Sequence, residues 1–451
     1  MRPLFLSPLV KFSYSVLHWC MDDFKKKKGF YGVAGCPVLH SKSPELFSLF
    51  SGEKGLYGRF SIENEAELRT ILDHFPLTGL NVTSPLKEVA LRLADECDET
   101  ARIIGAANCL VNEKGRWKAF NTDYTAVRAL IRKSAVPEGS PVLVAGAGGA
   151  GKAALAAALH EGMEVALTNR SRLRGKEAAV RMNVPLESMK SSWERYTLLI
   201  SALPGEADPL AFHPEFHGKI IDAAYPRSKT TLRGLKRGLE TFYGEEWLME
   251  QGRSSYALMT RSEPVEISWK QGVDSTEKSF APLVLTGFTG CGKTSAARQY
   301  EEWGLTVFSA DDELETRAGT SCHEAFLHLG EAGFRALEKA IVCEETLFSS
   351  DVIDSGGGLW LDPENRGRLP GDALVAYLWT TCETALLRAS GRPLLQGKSK
   401  EEACRLYEKR LEHYFSFSGL IIPAELLTPE EIARRIGRER ASVTRGVDKI
   451  D

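Results

Sequence analysis

Residues 141–160 read PVLVAGAGGAGKAALAAALH: an apolar run, Pro141 to Ala145, then the loop Gly146 to Gly151, then an alanine-rich stretch, Lys152 to His160. A strand, a G-x-G-x-x-G turn and a helix in that order suit a dinucleotide. Gly146, Gly148, Gly149 and Gly151 let the backbone approach a pyrophosphate, and the helix N-terminus adds partial positive charge. The motif is weak by itself, and the end of the next strand sharpens it. An NAD-binding chain would place an acid there for the ribose 2′-hydroxyl. This sequence has Asn169, Arg170 and Ser171, with Arg174 one turn on. Such a cluster fits a 2′-phosphate, so the expected cofactor is NADP(H).

A second loop, GFTGCGKT at Gly287 to Thr294, follows the apolar run Leu283 to Thr286 and precedes Ser295 to Trp303. In a G-x-x-x-x-G-K-T loop the backbone around Gly287, Gly290 and Gly292 wraps phosphates, Lys293 meets the terminal ones, and Thr294 can hold Mg²⁺. Ser295 completes the expected ATP-binding set.

At 451 residues the chain exceeds the size of a single core. Its 43% apolar and 26% charged content and net charge of −3 are those of a globular protein with no pull toward nucleic acid or membrane. The nine cysteines are scattered, with no C-x-x-C pair, which speaks against a zinc site or disulfide framework and for a reducing cytoplasm. Residues 1–28 are too short and too interrupted in their apolar part to span a bilayer, and their basic run lies on the wrong side for a signal peptide. They read as an N-terminal extension.

From Tyr31 onward, short apolar runs alternate with longer amphipathic ones, the mark of α/β domains with parallel sheets. Upstream of the first loop lie segments dense in polar residues: HSKSP (40–44), NVTSPLK (81–87), GAAN ending at Asn108, and NTD (121–123). This set, in this order, resembles the shikimate dehydrogenases from about Tyr31 to Tyr256. The resemblance implies that Ser41 and Ser43 hold the substrate carboxylate, and that Asn81, Thr83, Asn108 and Gln251 read its hydroxyls and carboxylate. It also implies that Lys87 and Asp123 form the catalytic pair and that Tyr225 helps close the pocket. A lysine beside an aspartate suits the chemistry, since ketone reduction by hydride develops alkoxide charge that a proton must meet.

Downstream of the second loop come Asp311 after an apolar run, GEAGFR (330–335), GGG (356–358) after the strand Val352 to Asp354, and RPLL (392–395). That order resembles shikimate kinase across about Pro282 to Ile436. The resemblance implies that Asp311 bonds the acceptor hydroxyl and that Arg335 and Arg410 clamp the carboxylate. Gly357 and Gly358 would approach the ring, and Arg392 would be the lid arginine meeting the transferred phosphate.

The expected architecture follows. An extension (1–28) precedes an α/β substrate domain (29–135, with 240–260 returning to it) and a Rossmann dinucleotide domain (136–239). A linker (261–280), a P-loop domain like the nucleoside-monophosphate kinases (281–440) and a tail (441–451) complete the chain. The implied function is NADPH-dependent reduction of 3-dehydroshikimate to shikimate, then ATP- and Mg²⁺-dependent phosphorylation of shikimate. The alternative is a dehydrogenase whose second half binds nucleotide or shikimate without catalysis. An NAD-using, quinate-directed dehydrogenase is disfavoured by the paired serines and Arg170.

Several positions depart from the resembled patterns. Ser201, Ala202, Leu203 and Pro204 replace a more polar segment, and Glu246 replaces a glycine; in relatives both places line the cofactor cleft. Relatives of the kinase carry D-x-D where this chain has Ser309, Ala310 and Asp311, and often Ser or Thr where it has Asp354. The expected metal residues are therefore Thr294 and Asp354, with Asp354 replacing the acid missing at Ser309.

Overall fold

The computed structural model describes residues 29–51, 56–225, 228–267, 280–389, 395 and 398–444. The extension 1–28, residues 268–279 of the expected linker, and Arg392 lie outside the described residues. Two compact units separate. One is mainly 280–434; the other comprises 32–69, the described residues between 79 and 267, and the helical residues from 435.

The chain begins with β1 (Phe30–Gly35), α1 (Ser43–Ser51), β2 (Tyr57–Ser61), α2 (Glu65–His74), β3 (Leu77–Val82), α3 (Lys87–Leu93), β4 (Glu96–Cys97), α4 (Glu99–Ile104), β5 (Cys109–Glu113) and β6 (Arg116–Phe120). These strands stand in the order β2-β1-β3-β5-β6-β4, with β3, β5 and β6 joined antiparallel. Helix α5 (Thr122–Ser134) leads to a second sheet, built from β7 (Pro141–Ala145), α6 (Gly149–His160), β8 (Glu164–Thr168), α7 (Arg172–Met182), β9 (Leu186–Glu187), β10 (Leu198–Ser201), β11 (Lys219–Asp222), α8 (Lys229–Lys236) and β12 (Thr241–Phe242). Its six strands are parallel, in the order β12-β11-β10-β7-β8-β9. That is the doubly wound dinucleotide order, with its switch point between β7 and β10, and ligands bind beyond the strand C-termini there.

The apolar runs that mark β7 and β10 in the sequence are buried on both faces, as parallel strands covered by helices must be. Val142, Val144, Leu198 and Ile200 meet Ala153, Ala154 and Leu155 of α6 in one core. The small alanines let α6 lie close to the sheet. Helix α9 (Gly244–Thr260) then packs against α5 and α1, so residues from 244 return to the first sheet's neighbourhood.

The other unit contains β13 (Leu283–Thr286), α10 (Lys293–Glu302), β14 (Val307–Ser309), α11 (Ala310–Ala318), α12 (Cys322–Val342), α13 (Glu345–Phe348), β15 (Val352–Asp354), α14 (Pro363–Arg366), β16 (Leu374–Trp379), α15 (Cys382–Arg388), α16 (Lys400–Phe417) and β17 (Leu420–Pro423). Its parallel strands run β14-β15-β13-β16-β17, which sets the P-loop strand β13 at the centre. Within α12 the helix is broken at Gly330, whose φ of 66° and ψ of 177° suit glycine. The last helix, α17 (Pro429–Thr444), continues through 441–444, which the sequence reads as the start of a tail. No helix among the described residues is long and apolar enough to cross a membrane.

Candidate active sites

In the first site the Lys87 Nζ donates to Asp123 Oδ2 at 2.6 Å, and the Trp247 indole donates to Asp123 Oδ1 at 2.9 Å. Local structure explains the placement of the acid. Asn121 caps α5 by accepting from the Tyr124 amide, so Asp123 falls in the first turn, where the helix dipole favours a carboxylate. With both oxygens bonded, the buried Asp123 has one orientation and holds the lysine head in place.

The polar segments converge. Asn81 Oδ1 accepts from the Tyr57 hydroxyl at 2.7 Å, and its Nδ2 donates to Ser255 Oγ at 2.8 Å. Asn108 donates to Gln251 Oε1 at 3.2 Å and accepts from the Thr122 amide at 2.7 Å. Ser41 Oγ and Ser43 Oγ lie 3.2 Å apart, and the Arg59 guanidinium donates to the Ser41 carbonyl at 2.8 and 3.0 Å. Burial pushes the Tyr225 phenol up to about 12, against the opposing effect of its hydrogen bond with Ser41. It is therefore a neutral hydroxyl group at ordinary pH.

One cleft of about 920 Å³ is lined by Thr83, Lys87, Tyr225, Gly148, Gly149 and Arg174 together with His40, Lys152 and Ala202 to Pro204. Gly151 is required by packing: a Cβ there would come 1.9 Å from the Gly146 carbonyl oxygen. A Cβ on Gly149 would come 2.9 Å from Lys87 Cδ, so the glycine loop and the lysine are in direct contact. This loop and cleft fit a dinucleotide. Asn169 accepts from the Ala147 amide at 3.1 Å and so fixes the loop, while Arg170, Ser171 and Arg174 are exposed around the start of α7. Ala202, Leu203 and Pro204 do line the cleft. Glu246 does not: it accepts from the Tyr243 amide at the start of α9 and pairs with Lys133, so its substitution for glycine serves a helix end in this chain.

In the second site the Lys293 ammonium donates to the carbonyls of Gly287 and Phe288 at 3.0 and 3.2 Å. Burial pulls it down, but Cys291, Asp354, Tyr414 and Asp311 around it outweigh burial, and it stays above the ordinary lysine value. A cavity of about 340 Å³ is lined by Gly290, Gly292, Lys293, Thr294, Ser295, Asp311 and Gly357. Arg410 and Tyr414, one turn apart on α16, both donate to the Gly357 carbonyl, at 3.1 and 2.6 Å. Arg335 donates to Glu338 at 2.5 Å, and a Cβ on Gly358 would come 2.7 Å from Arg335 Nη1. Gly356 has φ +58°, and a Cβ there would come 2.3 Å from Asp311 Oδ1. Asp311, Arg335, Arg410 and the triple glycine are thus together. Asp354 is buried, and its Oδ1 has no hydrogen-bond partner. Among the described residues no group of three His, Cys, Asp or Glu side chains is placed to hold a metal ion.

Both halves of the chain are similar to known proteins. A family model for the shikimate dehydrogenase substrate binding domain matches residues 33–110, and one for shikimate kinase matches residues 289–440. The shikimate dehydrogenase (NADP(+)) of Aquifex aeolicus is 32% identical over 247 residues, covering 51% of this chain and 90% of that protein. The chain belongs to the shikimate dehydrogenase family. The Thermus thermophilus shikimate dehydrogenase (NADP(+)) is 33% identical over 244 residues, covering 51% of this chain and 92% of that protein. A crystal structure of shikimate 5-dehydrogenase from Thermus thermophilus in complex with NADP(H) and shikimate is 29% identical, with a TM-score of 0.47, covering 52% of this chain and 94% of that one. After its dehydrogenase part the same chain carries a shikimate kinase domain, at residues 289–440.

Sequence reasoning missed Tyr57, Arg59, Thr122, Trp247 and Ser255 in the dehydrogenase site, and Glu338 and Tyr414 in the kinase site. One signal was available. Trp247, Gln251 and Ser255 recur every four residues on α9, a polar-bearing stripe on a single helix face.

Proposed function

We propose that the chain catalyses two consecutive steps, NADPH-dependent reduction of 3-dehydroshikimate to shikimate and ATP-dependent phosphorylation of shikimate to shikimate 3-phosphate. The observation that carries the first step is Lys87, held by the buried Asp123, opening on the same cleft as the glycine loop. Ser41 and Ser43 bind the substrate carboxylate, and Asn81, Thr83, Asn108 and Gln251 orient its ring. Lys87 donates the proton that neutralises the developing alkoxide, and Asp123, held by Trp247, keeps the ammonium aimed. Bound nicotinamide supplies the hydride. Arg170 and Arg174 neutralise the 2′-phosphate, which is the basis for NADP(H) over NAD(H).

In the kinase domain Asp311 accepts from the reacting hydroxyl of shikimate, while Arg335 and Arg410 hold its carboxylate at the other end. Lys293 and the P-loop amides hold the ATP phosphates, and Thr294 and Asp354 are the residues that would hold Mg²⁺, which would supply charge neutralisation at those phosphates. Arg392 meets the transferred phosphate. Phosphoryl transfer depends mostly on position and charge neutralisation, and this set supplies both. Against the reading of a non-catalytic module stand the P-loop lysine and Asp311 lining one cavity, with Arg410 bonded to Gly357 of that lining and Arg335 against the adjacent Gly358. The test is to assay each step separately on the whole chain. Shikimate-dependent reduction of NADP⁺ and ATP-dependent formation of shikimate 3-phosphate are both expected, and absence of the second with the first intact would favour the regulatory module.

A further inference from the structure

Glu439, on the penultimate turn of α17, is fully buried. Its Oε2 accepts from the amides of Val38 and Leu39 at 2.7 and 2.9 Å, and its Oε1 accepts from the Ser61 hydroxyl at 2.5 Å. One turn earlier Arg435, also buried, donates to the Ser61 carbonyl at 3.1 Å and to both oxygens of Glu67 at 2.9 and 3.0 Å. This bidentate pair sets the register of the helix, because a buried guanidinium needs its partners in fixed geometry.

The segment that Glu439 grips runs directly into the paired serines. Ser41 N donates to the Val38 carbonyl at 2.9 Å, closing a turn across residues 38–41, and the Ser41 carbonyl is held by Arg59. The loop is therefore anchored on one side by Glu439 and on the other by Arg59, with Ser41 and Ser43 between. Two adjacent amides pointing inward on a loop would be costly to bury without an acceptor, and one carboxylate oxygen satisfies both. His40, within the same turn, lines the cleft that Lys87 shares.

We infer that Glu439 is a positioning residue for the dehydrogenase reaction, holding the 38–41 turn so that Ser41 and Ser43 present their hydroxyls to the substrate carboxylate. The inference rests on the reading of those serines given above. It has an unusual consequence for the chain's organisation: Glu439 falls within residues 289–440, which match the shikimate kinase family, yet the group it orders belongs to the dehydrogenase substrate domain.

The test is a set of variants of the full chain, Glu439→Ala, Glu439→Gln, Glu439→Asp, Ser41→Ala and Ser41→Ala/Glu439→Ala, assayed for shikimate oxidation by NADP⁺. Glu439→Ala should raise the shikimate KM by about tenfold or more while kcat and the NADP⁺ KM stay within about threefold of the parent. Glu439→Gln should recover to within about threefold, since its amide oxygen can accept from Val38 and Leu39 while its amide nitrogen donates to Ser61 Oγ. In the Ser41→Ala background the same Glu439→Ala change should add less than about twofold, because the group it positions is gone. If Glu439→Ala does not fold, Glu439→Asp, one methylene too short to reach the two amides, replaces it in the cycle. A raised KM for Ser41→Ala with a parental KM for the Glu439 variants, or full additivity in the double variant, overturns the inference. A parental KM for Ser41→Ala instead overturns the reading of the serines.

Discussion

Ser309 and Asp354 are register partners, side by side at the ends of the neighbouring parallel strands β14 and β15. Ser309 uses its hydroxyl to accept from the Asp312 amide and cap α11, whereas the buried Asp354 keeps Oδ1 without a partner. An acid absent from one strand end is thus present at the adjacent one, a residue's width away. If Asp354 serves the magnesium, Asp354→Ser should raise the Mg²⁺ concentration needed for half-maximal kinase rate and lower that rate, with dehydrogenase activity unchanged. Adding Ser309→Asp to that variant should recover part of the loss, while Ser309→Asp alone should help little, since two carboxylates would crowd one ion. A parental Mg²⁺ titration for Asp354→Ser would end this account.

Lys87→Met should lower dehydrogenase turnover by about a hundredfold or more, the scale of losing a general acid, while NADPH binding survives. Trp247→Phe removes the donor to Asp123 Oδ1 and leaves a buried carboxylate oxygen without its partner. Its expected loss in kcat is smaller, about tenfold, because Lys87 remains. Steady-state rates and a separate NADPH titration check both. Near-parental kcat for Lys87→Met would remove that lysine from the mechanism.

Arg170→Ala should weaken NADPH by about tenfold or more and NADH by less than about twofold, because only NADPH presents a phosphate to the guanidinium. Equal weakening of both would make Arg170 a structural residue of α7's start.

Glu338 is predicted to tune the carboxylate clamp of the kinase. Burial raises its carboxyl above the ordinary glutamate range, and Arg335 opposes that shift. As pH falls, Glu338 therefore takes up its proton earlier than an exposed glutamate would, and its hold on Arg335 weakens. The shikimate KM of the kinase step should rise on the acid side in the parent. In Glu338→Gln it should be raised by about tenfold at neutral pH and stay flat with pH. An identical pH profile in parent and variant would contradict this role.

What the sequence made legible were the parts whose chemistry constrains residue type locally. The loops at 146–151 and 287–294 need glycine where side chains would collide, as the close approach of Gly151 to the Gly146 carbonyl shows. Asn81, Asn108 and Asp123 stood out in short segments dense in polar residues, and the order of those segments gave the family resemblance that assigns their roles. Trp247 did not, because an indole in a helix reads as core until Asp123, 124 residues away, is found beneath its nitrogen. Glu439 was hidden for a related reason. In RRIGRER at 434–440 an acid among arginines reads as a solvated face, and only the tertiary fold shows that Arg435 and Glu439 point inward. That Asp354 stands in for the acid missing at Ser309 was expected from the resemblance, and the strand order adds that the two are register partners.

Whether one chain performs both steps in succession is decided by a one-pot reaction of the whole protein with 3-dehydroshikimate, NADPH, ATP and Mg²⁺. Products are identified by mass while NADPH oxidation is followed. NADPH oxidation should be matched by accumulation of shikimate 3-phosphate, with Lys87→Met blocking product from 3-dehydroshikimate but not from added shikimate. Accumulation of unphosphorylated shikimate with ATP unspent would contradict it.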